Sequence, residues 1–230
     1  MWSRKTVAVV IIDLENNSIL DVVHDFDSTG LVDEIIVVCE KQARIDKDQN
    51  RTRAKYIRQK QSGLGSAIKE GISKTKADLI IVTEGNRSFK SKDIVKLLSY
   101  SDDFKVVFGS RTHIPLIHKG SGMTFTRRLI DDLFGKLISI LFLSQPLTDV
   151  GCTLRLTNRT AWEKVRRECK SKNEIFLTEW LLSTVKNKVN FIEIPVHFDA
   201  PKKQVKKRTY FYYSTRAIQI IFYIFKFWFR

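Results

Sequence analysis

A chain of 230 residues with 43% hydrophobic side chains is long enough to bury one large core, which excludes a wholly disordered polypeptide. Its formal charge of +15 calls for an anionic partner, whether nucleic acid, an acidic membrane surface or a phosphorylated substrate. The three cysteines, Cys39, Cys152 and Cys169, have no CxxC spacing and leave one over, so neither a disulfide framework nor a zinc site is indicated and a reducing compartment is expected.

The first residues lead directly into an apolar run, TVAVVII at 6–12, without a small-residue cleavage site, which is not the pattern of a secretory signal. That run reads as a buried strand, followed by a polar break and a helical pattern through Ile19, Leu20, Val23 and Phe26. A second strand is expected at 32–38 and a helix at 63–72. Between them the basic stretch 46–60, DKDQNRTRAKYIRQK, reads as a solvated connection. A third strand is expected where the run 79–82 stops abruptly at Thr83-Glu84-Gly85-Asn86, and a fourth at 104–108. Strands alternating with helices argue for a mostly parallel sheet covered on both faces.

Beyond Arg111 a long loop leads to an amphipathic helix over 124–143, with Phe125, Leu129, Leu133, Phe134, Leu137 and Leu141 at helical spacing. This helix is expected to lie across the sheet. A short strand at 153–156, helices at 159–168 and 175–186 and a strand at 190–196 complete the domain, taken as 1–200, with 201–230 as an appendage. In that appendage the basic run PKKQVKKR at 201–208 precedes AIQIIFYIFKFWF at 217–229. About thirteen apolar residues are too few to cross a bilayer, but they suit a helix lying in the interface of an anionic membrane.

Four polar clusters fall at expected strand ends: Asp13, Glu15 and Asn16; Glu40; Glu84 with Asn86; and Asp149. In open α/β sheets ligands bind beyond the carboxyl ends of the strands. Acidic groups gathered there repel one another unless a cation or a hydrogen-bonding ligand lies between them. Taken singly, each is also an ordinary helix cap or turn residue.

The order of segments from about residue 7 to 197 resembles family 2 glycosyltransferases, and within them the polyprenyl-phosphate sugar transferases of the dolichol-phosphate mannose synthase type. The motifs are Gly63-Leu64-Gly65-Ser66-Ala67 at a helix start, Val106-Val107-Phe108-Gly109-Ser110-Arg111, Thr148-Asp149-Val150-Gly151-Cys152-Thr153-Leu154-Arg155, Phe176-Leu177-Thr178-Glu179-Trp180 and Ile192-Glu193-Ile194-Pro195-Val196. The resemblance implies a single GT-A-type, Rossmann-like α/β domain binding a nucleotide-sugar donor. Asp13, Glu15, Glu40, Gly63 and Gly65 would hold the donor, and Glu84 with Asn86 would hold Mg2+ or Mn2+. Arg111, Arg127 or Arg128, and the basic loop with Lys206 and Arg208 would hold phosphates, while Asp149 or Glu179 would serve as base toward a hydroxyl acceptor. The departures are Glu15-Asn16, Cys39-Glu40 and Glu84-Gly85-Asn86, where the family usually has Asn-Glu, Asp-Asp and Asp-x-Asp. Losing a carboxylate at the last position implies weaker metal affinity.

The reading is therefore a metal-dependent, inverting hexosyltransferase, peripheral at the cytoplasmic face of a membrane, whose leading acceptor is a lipid phosphate. The alternative is a catalytically silent relative acting as scaffold or partner subunit, with a second copy or a membrane subunit as its partner. No specific nucleic acid is expected, because no aromatic-interleaved basic platform is present.

Overall fold

A computed structural model describes residues 4–14, 19–42, 52–200 and 210–229. Seven strands form one sheet in the order β3-β2-β1-β4-β6-β5-β7. The inner parallel strands are β1 (Val7–Asp13), β2 (Glu34–Cys39) and β4 (Leu79–Glu84), with Val9 aligned to Ile35 on one side and to Ile81 on the other. Their branched side chains serve two cores. Val10 and Ile12 face one apolar cluster, whereas Val7, Val9 and Ile11 face the other. This two-sided burial is why these strands read as continuous apolar runs rather than alternating ones.

The other half holds β5 (Val106–Ser110), β6 (Arg155–Asn158) and β7 (Phe191–Pro195). β6 runs antiparallel between β4 and β5, while β5 and β7 are parallel. Because β6 enters from the opposite direction, the segment 148–153 that precedes it lies at the same edge where β1, β4 and β5 end.

Helices α1 (Ile19–Asp27) and α3 (Asp93–Ser99) cover one face; α2 (Leu64–Ser73), α5 (Arg159–Val165) and α6 (Ile175–Lys186) cover the other. The helix α4 (Phe125–Leu141) and the C-terminal helix α7 (Tyr210–Trp228) pack on this second side. Among the described residues, no helix is long and apolar enough to cross a membrane.

The expected elements are present; the strand expected at 153–156 is found two residues later, at Arg155–Asn158, and three further differences stand out. The stretch taken as a solvated connection contains β3 (Lys55–Arg58), which pairs with β2 at the sheet edge. Its four residues include a basic one at each end and carry no apolar run, so only the free edge of β2 explains the strand. Helix α3 has too few residues to display a helical period. The strand expected at 104–108 is shifted to Val106–Ser110, because Phe104 closes a turn by donating its N–H to the Tyr100 carbonyl at 2.9 Å.

Candidate active site

Asp13 and Glu84 end adjacent parallel strands, and Glu40 follows the next one. Asp13 is buried and Glu40 is exposed. Gly85 closes this part of the edge by donating its N–H to the Ile12 carbonyl at 2.8 Å. The Glu84 carboxylate accepts the Thr153 hydroxyl at 2.5 Å through Oε1 and the Asn86 amide at 2.7 Å through Oε2. Asn86 Oδ1 in turn accepts the Ser88 N–H at 3.0 Å. Arg87, between them, is in the left-handed region at φ 66 and reaches Asp21 and Asp25 of α1 at 3.2 and 3.4 Å. A non-glycine residue held there needs such external support.

These groups fit a hard divalent cation in the chemistry of their donors. One carboxylate and one carboxamide oxygen, each keeping a lone pair, can take part of a six-oxygen shell, the rest coming from a ligand's phosphates and water. The described residues contain no group of three or more His, Cys, Asp and Glu side chains placed to hold a metal unaided.

The second half of the site is a fork. Arg111, directly after β5, donates Nε to Asp149 Oδ2 and Nη2 to Asp149 Oδ1, both at 2.8 Å, and its backbone N–H to Oδ2 at 2.9 Å. The Gly151 N–H adds a fourth donor at 3.0 Å. Burial alone would raise the Asp149 carboxyl, but the Arg111 charge and these hydrogen bonds hold it below its ordinary value. Glu193 of β7 fixes the turn carrying Asp149, accepting the Thr148 N–H and hydroxyl at 2.8 Å each and the Asp149 N–H at 2.9 Å. Burial, then the Asp149 charge, push the Glu193 carboxyl up to about 7.

Around the fork stand Arg127 and Asp131 of α4. Asp131 Oδ2 lies 3.9 Å from Arg111 Nη2, and is buried without a hydrogen bond. Burial and the Asp149 charge push this carboxyl up to about 6, against Arg111, Arg127 and Arg216. Arg127 is pressed below its ordinary value by its own burial and then by the Arg111 charge. Arg128 points elsewhere and lies over the Phe125 ring at 5.6 Å.

The structure therefore gathers Arg111, Arg127 and Asp149, and ties Glu84 to the segment following Asp149 through Thr153. Glu179 is buried on α6, where it accepts the Ser171 N–H at 2.7 Å and so fixes the loop before that helix. Gly63 and Gly65 answer to the same loop. Gly63 has φ 118, and a Cβ on it would stand 2.2 Å from the Lys172 carbonyl oxygen; one on Gly65 would stand 2.5 Å from Phe176 Cβ. Packing of α2 against 171–176 is a sufficient reason for both glycines. Glu15, Lys206 and Arg208 lie outside the described residues.

Sequence reasoning missed Asp131 and gave no site role to Glu193, quoted only within the last-strand motif, or to Arg216. Asp131 follows Arg127 by one helical turn, and Glu193 is a lone acid inside an apolar strand. Either signal could have marked them. Arg155 appeared within a motif without a role. It is fully buried between the Phe108 and Trp180 rings, and donates to the carbonyls of Cys152, Leu177 and Val150, pinning the turn after Asp149 to α6.

No family model matches the sequence. Among solved structures the chain is similar to glucosyl-3-phosphoglycerate synthase from Mycobacterium tuberculosis in complex with Mn2+, UDP and phosphoglyceric acid. The TM-score is 0.71 at 14% identity, over 97% of this chain and 78% of that one. The same enzyme with Mn2+, UDP-glucose and phosphoglyceric acid matches at TM-score 0.71 and 13% identity, over 97% and 80%. A nucleotidyl transferase from Methanothermobacter matches at TM-score 0.53 and 12% identity, over 94% and 98%. At such identities the likeness carries the fold, a mixed α/β sheet with helices on both faces.

Proposed function

We propose that this protein transfers a sugar from a nucleoside diphosphate to a phosphate-bearing acceptor, with a polyprenyl phosphate at a membrane surface as the leading candidate. The observation that carries this reading is the pairing, on one sheet edge, of the Glu84–Asn86 oxygens with the Arg111–Asp149 fork. Glucosyl-3-phosphoglycerate synthase, of similar fold, binds UDP-glucose, Mn2+ and an acid bearing a phosphate.

Glu84 and Asn86 would hold the cation, which when bound neutralises diphosphate charge as the leaving group departs. Asp13 and Glu40 stand where the nucleoside would lie, and Glu40 can accept a base N–H. In the transfer, an acceptor oxygen bonds to the sugar C1 while the bond from C1 to the diphosphate oxygen breaks and its electron pair leaves with the nucleoside diphosphate, inverting C1. Fixed guanidiniums near that edge stabilise the charge as it shifts. Asp149 has its oxygens occupied by four donors and is held strongly ionised, which makes it a poor base, and Glu179 is tied to Ser171. An acceptor already ionised at neutral pH needs no base, which favours a phosphate over a hydroxyl.

The exposed apolar surface supports the membrane. Among the described residues, the large exposed apolar side chains other than Val95, Tyr100 and Ile114 all lie on α4, on α7 or just beyond their ends: Phe125, Leu129, Leu133, Phe222, Phe225 and Trp228 among them. The two helices meet, and Trp228 Nε1 donates to the Leu141 carbonyl at 3.1 Å. Helix α7 contains no acidic residue and carries Arg216 and Lys226. The sequence before and after it is basic, so two copies face to face would repel, whereas an anionic lipid surface complements them.

The test is a thermal-shift panel of nucleoside diphosphates with and without Mn2+ or Mg2+, followed by sugar transfer to a prenyl phosphate in vesicles. A metal-dependent rise in Tm with one base is expected. No shift with any nucleotide sinks the reading. The mutual hydrogen bond of Glu84 and Asn86 favours one second reading, a silent scaffold or partner subunit. Stable vesicle or protein association with no heat from nucleotide plus metal would select it.

A further inference from the structure

Arg216 lies near the C-terminus of the chain on α7, yet its guanidinium reaches the site. It is ion-paired with Glu174 at the start of α6. Its Nη2 stands 3.6 Å from the point where a side chain on Gly151 would begin, and Arg111 Nη2 stands 3.3 Å from that same point, with Asp149 Oδ1 at 3.9 Å. Guanidiniums from α7 and from the end of β5 thus approach one spot beside Gly151. The charges of Arg111 and Arg216 both depress Arg127, so all three sit within reach of one another's fields. Guanidiniums gathered this closely repel unless anions stand between them. Here Asp149 is committed to Arg111 by three hydrogen bonds, Glu174 is paired with Arg216, and Asp131 stands in the field of all three guanidiniums with no hydrogen bond on its Oδ2.

We infer that Arg111, Arg127 and Arg216 form a site for a phosphate monoester, in which Arg216 is a ligand delivered by the docked C-terminal helix. The inference rests on the reading of a phosphate-bearing acceptor and adds that the acceptor site is incomplete without α7. Arg216 exchanges Glu174 for the phosphate, and its planar fork suits two phosphate oxygens. Since the ligand binds only with α7 in place, phosphate binding and α7 docking stabilise each other. The helix whose outer face suits a lipid surface also carries a grip on the headgroup.

Calorimetry on the full chain with inorganic phosphate, and separately with UDP plus Mn2+, tests this. Arg216→Ala is expected to weaken phosphate binding about tenfold or more and to leave UDP–Mn2+ affinity unchanged. Arg216→Lys, keeping the charge without the fork, falls between. Glu174→Gln, which releases Arg216, tightens phosphate binding. Unchanged phosphate affinity in Arg216→Ala with only a lower Tm overturns the inference, because Arg216 then merely pins α7 to α6. An equal loss of UDP affinity overturns it too, assigning the cluster to the donor, as does absence of phosphate binding by the unmodified chain. If Arg216→Ala does not fold, Glu174→Gln decides: phosphate affinity unchanged or weaker sinks the proposal. Phosphate affinity that follows Arg216 without any nucleotide binding keeps the anion site and removes the sugar-transfer reading.

Discussion

Asp149 shows what a single residue can and cannot reveal before folding. Its place in a Thr-Asp-x-Gly-Cys segment marks it as a site residue, but its partner Arg111 is 38 residues away, and their fork exists only because β6 inserts between β4 and β5. A carboxylate able to act as base and one locked by an arginine look alike in sequence. Glu193, the acid beneath this turn, yields a prediction about pH. Its carboxyl is pushed up to about 7 and that of Asp131 to about 6, both above their values in an unfolded chain. Through that window the folded protein keeps protons the unfolded chain has released, so these two groups lower stability as pH rises. Asp149, held low, acts in the opposite sense, but only at more acid pH. Tm is expected to fall from about pH 5 to about pH 7, and Glu193→Gln to flatten that fall. An unchanged slope in the variant would rule out Glu193 as its source.

At the scale of elements, most of the fold was legible because two-sided burial writes long apolar runs and amphipathic helices write a period. The edge strand β3 and short α3 carry neither signature, and tertiary context decides them. Helix α7 is legible as a helix, but not in its division of labour, since nearly every side chain from Ala217 onward is apolar or aromatic. The structure divides them: Ile220, Ile224 and Phe227 are buried against the core, while Ile218, Phe222, Phe225 and Trp228 are exposed. Phe222→Asp with Phe225→Asp should therefore change stability by no more than about 1 kcal/mol and, at about 0.5 M salt where electrostatic attraction is screened, abolish flotation with anionic vesicles. Ile224→Asp places a charge in the core and should cost about 3 kcal/mol or more, seen in denaturant unfolding. Vesicle binding at that salt that survives the double outer-face change would assign that face to another partner. Half of the predicted α4 stripe, Phe125, Leu129 and Leu133, is likewise exposed.

At the scale of the whole molecule, the charge of +15 gains a direction once the fold is known. Composition alone left nucleic acid, membrane and phosphorylated ligand equal. The structure puts guanidiniums at one sheet edge and bare apolar helices beside them, an arrangement that suits a phosphate presented from a lipid surface better than a nucleic-acid backbone lying along a polar groove. The two components of such binding respond differently to salt. Attraction of exposed basic groups to anionic lipid weakens as the screening length shrinks from about 10 Å at ~0.1 M to about 3 Å at 1 M, whereas apolar insertion does not. Binding to anionic vesicles is thus expected to drop steeply between ~0.1 M and ~0.5 M salt but to level off above zero, at a plateau lost in the outer-face variant. A decline to nothing would make the association purely electrostatic and leave the apolar face of α4 and α7 without its occupant. A salt-independent curve would mean that the positive charge serves the site alone.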